Sequence, residues 1–126
     1  MRHIMVVSGN DASLVHMLNI LTEAGYKTSG ASSFEEAQEI LARRSPDLVI
    51  ADQRLGAFNG LHLILNARAT HPGVSGIVTT PSRNRGLEDD ARGLDVECMV
   101  APPNSAEWLG PVSRALNPER RRATAS

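Results

Sequence analysis

Apolar positions along this chain switch repeatedly between two periods. Short continuous apolar runs are followed by longer stretches in which apolar residues recur every three or four positions, the alternation of strand and amphipathic helix. The first run, Ile4-Met5-Val6-Val7, stops at Ser8-Gly9-Asn10. Leu14, Met17, Leu18 and Leu21 then fall at helical spacing, with Asp11 expected as the cap and Gly25 just past the end. Residues 26–31 read as a short, weak second strand. Ser32 or Ser33 opens a second helix that turns Ala37, Ile40 and Leu41 inward and closes on Arg43-Arg44 before Pro46. The third run, Leu48 to Ala51, ends on Asp52. Asn59 is expected to cap a third helix carrying Leu61, Ile64, Leu65 and Ala67, broken at His71-Pro72-Gly73. Val74 to Thr79 is the fourth strand. The fourth helix is poor, with Leu87 and Ala91 its apolar residues between Gly86 and Gly93. Val96 to Val100 forms the fifth strand. Asn104 and Glu107 then resemble a capping box at the head of a last helix with Trp108, Leu109, Val112 and Leu116. Pro111 is expected to kink or shorten that helix.

Five strand-then-helix repeats imply right-handed crossovers and a parallel sheet between two helical layers. Residues 1–116 read as one such domain. Residues 117–126 carry no apolar pattern and read as a linker or tail, with Arg120-Arg121-Arg122 a solvated charge run. The uninterrupted run before Asp52 suits a strand covered on both faces. In open α/β sheets ligands collect at the carboxyl ends of the strands, which places Asp52 where an acid can act. The bland alternative for Asp52 is a strand-end carboxylate that caps loop amides.

Composition narrows the function classes. The 126 residues suffice for one core without metal or disulfide support, and a net charge of −1 advertises no nucleic-acid or membrane surface. A single cysteine, Cys98, excludes an internal disulfide and fits a reducing cytoplasm. The apolar start is too short for a signal peptide, and no run reaches transmembrane length. His3, His16, His62 and His71 are scattered without metal-ligand spacing and read as surface or packing residues.

The order and spacing of these elements resemble the receiver domain of two-component response regulators, over residues 3 to about 116. The resemblance rests on Asp52 at the end of the third strand, Asn59-Gly60 opening the third helix, Thr79 ending the fourth strand and a proline, Pro102, after the fifth. It implies a flavodoxin-like doubly wound five-stranded parallel sheet of order 2-1-3-4-5, (βα)5, with Asp52 at the phosphoacceptor position and Thr79 at the switch position. It further implies no enzyme activity, a cytoplasmic location, and a histidine kinase or output domain as partner, with homodimers an option. No membrane or direct nucleic-acid contact is implied for this domain.

The departures from the family pattern are chemical. Receivers end the first strand with two acidic residues that help hold Mg²⁺; a gap-free alignment puts Ser8 and Gly9 there. The lysine that meets the acyl phosphate is Ala101, and the aromatic residue three before it is Cys98. Asp11 and Arg54 are the nearby residues that would compensate, although Asp11 is better explained as a helix cap and Arg54 as solvent-facing. Phosphoryl transfer depends on positioning and charge neutralisation by metal and cations. The losses therefore imply a degraded site, with Mg²⁺ held weakly by Asp52 or not at all. Three readings stand: a degenerate receiver acting as a phosphorylation-independent or weakly phosphorylated interaction module, a conventional receiver phosphorylated on Asp52, and an unrelated flavodoxin-like binder of a small anion or nucleotide. The last lacks a Gly-rich phosphate loop. The resemblance also implies a cis bond between Ala101 and Pro102.

Overall fold

The computed structural model describes residues 2–100 and 105–117. The expectations for Ala101, for the Ala101–Pro102 bond, for Asn104, for the Trp108 side chain and for the tail from 118 onward lie outside what is described. Along the chain run β1 (His3–Val7), α1 (Asp11–Glu23), β2 (Lys27–Ala31), α2 (Phe34–Arg43), β3 (Leu48–Asp52), β4 (Arg54–Leu55), β5 (Phe58–Asn59), α3 (Gly60–Thr70), β6 (Ser75–Thr80), α4 (Arg85–Gly93), β7 (Glu97–Val100) and α5 (Ser105–Leu116). The five longer strands form one sheet, β2-β1-β3-β6-β7, and every pairing in it is parallel. Counting only those strands, the order is the expected 2-1-3-4-5 of a flavodoxin-like fold.

The strand sequences explain the layering. Side chains alternate across a strand. Met5, Val7, Val49, Ala51 and Val78 pack with α2, α3 and α4, while Ile4, Val6, Leu48, Ile50 and Ile77 pack with α1 and α5. The central strands are apolar throughout because both faces are covered. The edge strands β2 and β7 are more open and correspondingly more polar.

Helix ends follow local chemistry, with two departures from expectation. Asn10, not Asp11, caps α1: its backbone is extended and its side-chain carbonyl accepts the Ser13 amide at 2.9 Å. Asp11 becomes the first helical residue, where its carboxylate complements the helix dipole. Leu65 is 41% exposed. Because α3 starts at Gly60, positions 60, 63, 64 and 67 face the sheet, and Leu63 takes the core place expected of Leu65. Ser33, Asn59 and Asn84 cap α2, α3 and α4. Gly25 closes α1 at φ +97°, a backbone region that costs other residues more. Pro111 lies inside α5 without shortening it.

The segment after Asp52 is more ordered than the pattern indicated. Arg54–Leu55 and Phe58–Asn59 pair as an antiparallel hairpin around Gly56-Ala57. Phe58 stacks on Phe34 of α2 with ring centroids 4.2 Å apart, and His62 meets both rings edge-on. Arg68 secures the opposite end of the sheet: its guanidinium donates to the carbonyls of Val74, Leu94 and Asp95. Asp95, at φ 57°, makes the left-handed turn between α4 and β7.

Two expected outcomes follow from this packing. His3 is buried and its Nε2 lies 2.6 Å from the Ser29 hydroxyl. Burial, then the Arg44 and Lys27 charges, push its pKa down against the raising effect of Asp47, which is smaller than that of Arg44. The unfolded chain therefore takes up the proton first as pH falls, so stability is full above about 6.5, the ordinary histidine value, and declines below it. Urea midpoints measured from pH 7.5 to 5.5 are expected to fall, with a shallower slope in His3→Gln. In α4 only Leu87 and Ala91 are buried. Few buried contacts mean low local stability, so α4 amides are expected to exchange with solvent faster than those of α1.

Candidate functional site

The carboxyl ends of β1, β3 and β6 bring three side chains together. Asp52 ends β3, its cross-strand partner is Thr79 of β6, and Ser8 follows directly on β1. The Ser8 hydroxyl donates to Asp52 Oδ2 at 2.6 Å, and the Thr79 hydroxyl donates to Oδ1 at 2.7 Å. Ser8 is fully buried and Thr79 nearly so, whereas Asp52 is partly open. Both carboxylate oxygens are thus held by charge-assisted bonds from side chains that are themselves fixed in the sheet.

The backbone around Asp52 is equally constrained. The Gln53 amide donates to the Thr79 carbonyl at 2.7 Å, and the Gly60 amide donates to the Gln53 carbonyl at 3.1 Å. A Cβ at Gly60 would lie 2.3 Å from the Asp52 carbonyl oxygen and 2.8 Å from that of Ala51. The Asn59-Gly60 pair is therefore explained by two separate needs: a capping side chain and a residue without one.

A cleft of about 300 Å³ opens beside Asp52, between α1, the β3–β4 connection and the end of β6. His16 and Met17 form one wall and Thr80 and Pro81 another. Arg54 reaches the lining from the exposed β4. Asp11 is exposed on the first turn of α1 and is not part of the lining. Gly9 is exposed, with open space where a Cβ would be.

Cys98 stands apart from this group. It lines a larger cleft, about 560 Å³, that runs along α4, β7 and α5 with Arg83 and Arg114. Burial, reinforced by the Glu88 carboxylate, pushes its thiol pKa up, which disfavours the reactive thiolate. The four histidines take packing or rim positions. His71, for example, bridges the Leu41 carbonyl and the Ser45 hydroxyl. Among the described residues no three His, Cys, Asp or Glu side chains are grouped to hold a metal ion, and no helix is long and apolar enough to cross a membrane.

Of the residues singled out from sequence, Asp52, Thr79 and Ser8 meet directly, Arg54 flanks them, and Cys98 and Asp11 do not join. His16, read from sequence as a surface or packing residue, lines the cleft; its place in the first half of α1, the helix that follows β1, is the signal that it lies towards the strand ends. The hairpin had a signal too: a two-residue turn with glycine first, between Leu55 and Phe58.

The family model of the response regulator receiver domain matches residues 4–104. The chain belongs to this family. The receiver is similar to the alginate biosynthesis transcriptional regulatory protein AlgB of Pseudomonas aeruginosa, at 32% identity over 106 residues, which is 84% of this chain and 24% of AlgB. It spans a quarter or less of the length of the curated relatives it matches. Among solved structures, a CheY-like receiver from Methanospirillum hungatei superposes with a TM-score of 0.84 at 20% identity, over 98% of both chains. The Thermotoga maritima response regulator TrrA, solved in complex with Mg²⁺-BeF, gives 0.77 at 22% identity over 93% of this chain and 100% of that one. At these identities the structures speak to the fold alone. Receivers are signalling domains that work with histidine kinases and output domains, and they typically bind Mg²⁺ at the phosphorylation site.

Gly60→Ala is expected to destabilise the receiver by about 3 kcal/mol, the upper end of overpacking costs, because the added methyl meets backbone rather than a mobile side chain. Chemical denaturation would measure the loss. The Gln53 and Thr79 amide resonances should move in the same variant, since the backbone beneath Asp52 must yield.

Proposed function

We propose that this receiver is a protein-interaction module of a two-component or phosphorelay system whose state depends weakly, or not at all, on phosphorylation. One observation carries the reading: the Ser8 hydroxyl stands on the Asp52 carboxylate at 2.6 Å, where the family places an acidic metal ligand. Mg²⁺ requires near-octahedral oxygen ligation and usually leans on one or two carboxylates in addition to phosphate. Here Asp52 is the carboxylate facing the cleft, Ser8 supplies a neutral oxygen and Gly9 supplies no side-chain oxygen. That donor set fits a resident magnesium ion poorly. Arg54, at the rim, offers a guanidinium to the cleft. In this reading Asp52 keeps the phosphoacceptor position without efficient chemistry, and the partner is a histidine kinase or an output domain. The setting is the cytoplasm, this domain makes no membrane or nucleic-acid contact of its own, and self-association is an option.

A conventional phosphoacceptor role is the second reading. It is favoured by Asp52 and Thr79 standing as cross-strand neighbours with Asp52 open to a cleft, an arrangement that a small phosphodonor could enter.

Magnesium titration separates the two. Amide shifts of residues 52–54 are expected to remain unsaturated at millimolar Mg²⁺, and beryllofluoride is expected to leave them unchanged. Saturation below 1 mM, together with a beryllofluoride response, would establish the conventional reading. The double variant Ser8→Asp/Gly9→Asp is expected to tighten Mg²⁺ binding at least tenfold, since the open space at residue 9 admits a side chain and each added carboxylate supplies charge.

A further inference from the structure

Ser8 holds a position from which it touches more than Asp52. Its Oγ accepts the backbone amide of Asn10 at 3.2 Å and lies 3.3 Å from the Asn10 carbonyl oxygen. A serine hydroxyl has a single proton. Two acceptors compete for that proton, Asp52 Oδ2 at 2.6 Å and the Asn10 carbonyl at 3.3 Å, and the shorter bond to an anion wins. Asn10 is no ordinary neighbour. Its carbonyl accepts the first helical amide, from Leu14, and its side chain caps Ser13, so it anchors the N-terminal turn of α1. That helix then supplies Ser13, His16 and Met17 to the cleft.

We propose that Ser8 is a positioning residue that reads whether Asp52 Oδ2 is available and passes that state to the N-terminal turn of α1. While Oδ2 is free to accept, the hydroxyl proton points into the sheet and the Asn10 carbonyl serves Leu14 alone. When a partner's group draws the Asp52 carboxylate out of reach of Ser8, the hydroxyl loses its better acceptor and turns to the Asn10 carbonyl. That carbonyl then accepts from both Ser8 and Leu14, and the first turn of α1 repolarises. The energetic reason for rotation is that a fully buried hydroxyl left without an acceptor costs more than turning its proton about the Cβ–Oγ bond, the oxygen already standing 3.3 Å from the Asn10 carbonyl. The route runs from β3 through β1 to α1 and uses neither the position of Cys98 nor that of Ala101. It deepens the reading of a metal-poor interaction module by giving the site a way to act on α1 without a phosphoryl group.

The test uses the metal-free, phosphate-free domain and reads backbone resonances. Asp52→Ala removes the acceptor outright. In the Ser8 background it is expected to move the Asn10 carbonyl carbon downfield, the direction of a gained hydrogen bond, and to shift the Leu14 and Ser13 amides with it. In the Ser8→Ala background the same Asp52→Ala change is expected to leave those three signals in place. Equal shifts with and without the Ser8 hydroxyl would overturn the proposal. Should Ser8→Ala not fold, the comparison moves to Thr79→Val, which removes the other hydroxyl on Asp52. It is expected to leave Asn10 and Leu14 unperturbed, and a shift there as large as that from Asp52→Ala would equally overturn the coupling. Because no metal is present, this outcome is independent of the magnesium titration: tight Mg²⁺ binding defeats the functional reading and leaves the relay standing, and uncoupled shifts do the reverse.

Discussion

The carboxylate of Asp52 is tied from two sides by hydroxyls that belong to other strands, and the geometry of this face depends on those ties. Ser8 and Thr79 are both buried, so neither hydroxyl has water to fall back on, and each finds its partner on Asp52. The parallel register makes the meeting possible. Asp52 lies beside Thr79 across one strand boundary, and β1 pairs with β3 up to Val7 and Ala51, which delivers Ser8 to the same edge. Strand order, register and local hydrogen bonding thus converge on one side chain. The same carboxylate that would receive a phosphoryl group in a conventional receiver is here already engaged as a structural acceptor.

Much of the architecture is legible in the residues because its causes are local. The uninterrupted apolar runs of β1 and β3 signal strands covered on both faces, and Ser33, Asn59 and Gly25 end or begin helices through their own side chains or backbone freedom. What the pattern leaves ambiguous has a common cause. Asn10 and Asp11 are both competent caps, and the choice between them is made by backbone geometry at the end of β1. Leu65 sits on the solvent side because positions 60, 63, 64 and 67 face the sheet, a phase fixed by the close approach of Gly60 to the carbonyls of Ala51 and Asp52. The hairpin after Asp52 depends on Phe58 finding Phe34, which is 24 positions away in the chain and opens α2.

The site divides in the same way. Asp52, Thr79 and Ser8 are identifiable from position along the strands, but the bonds that unite them require the register. The contribution of His16 and Met17 to the cleft requires the placement of α1 over the sheet edge. Cys98 lines a separate cleft beside Glu88, where burial raises its thiol pKa, and that placement too depends on how α4 and α5 pack on β7.

The stack of Phe58 on Phe34 has a bearing on recognition. The connection that follows β3 is stapled to α2 by this stack, so its surface is shaped before any encounter. A partner that reads this surface need not spend binding energy on ordering the loop, and the interface backbone should change little on docking. For such a partner, selectivity would come from shape already present in the free receiver, where Phe58 is 40% exposed on its stack with Phe34.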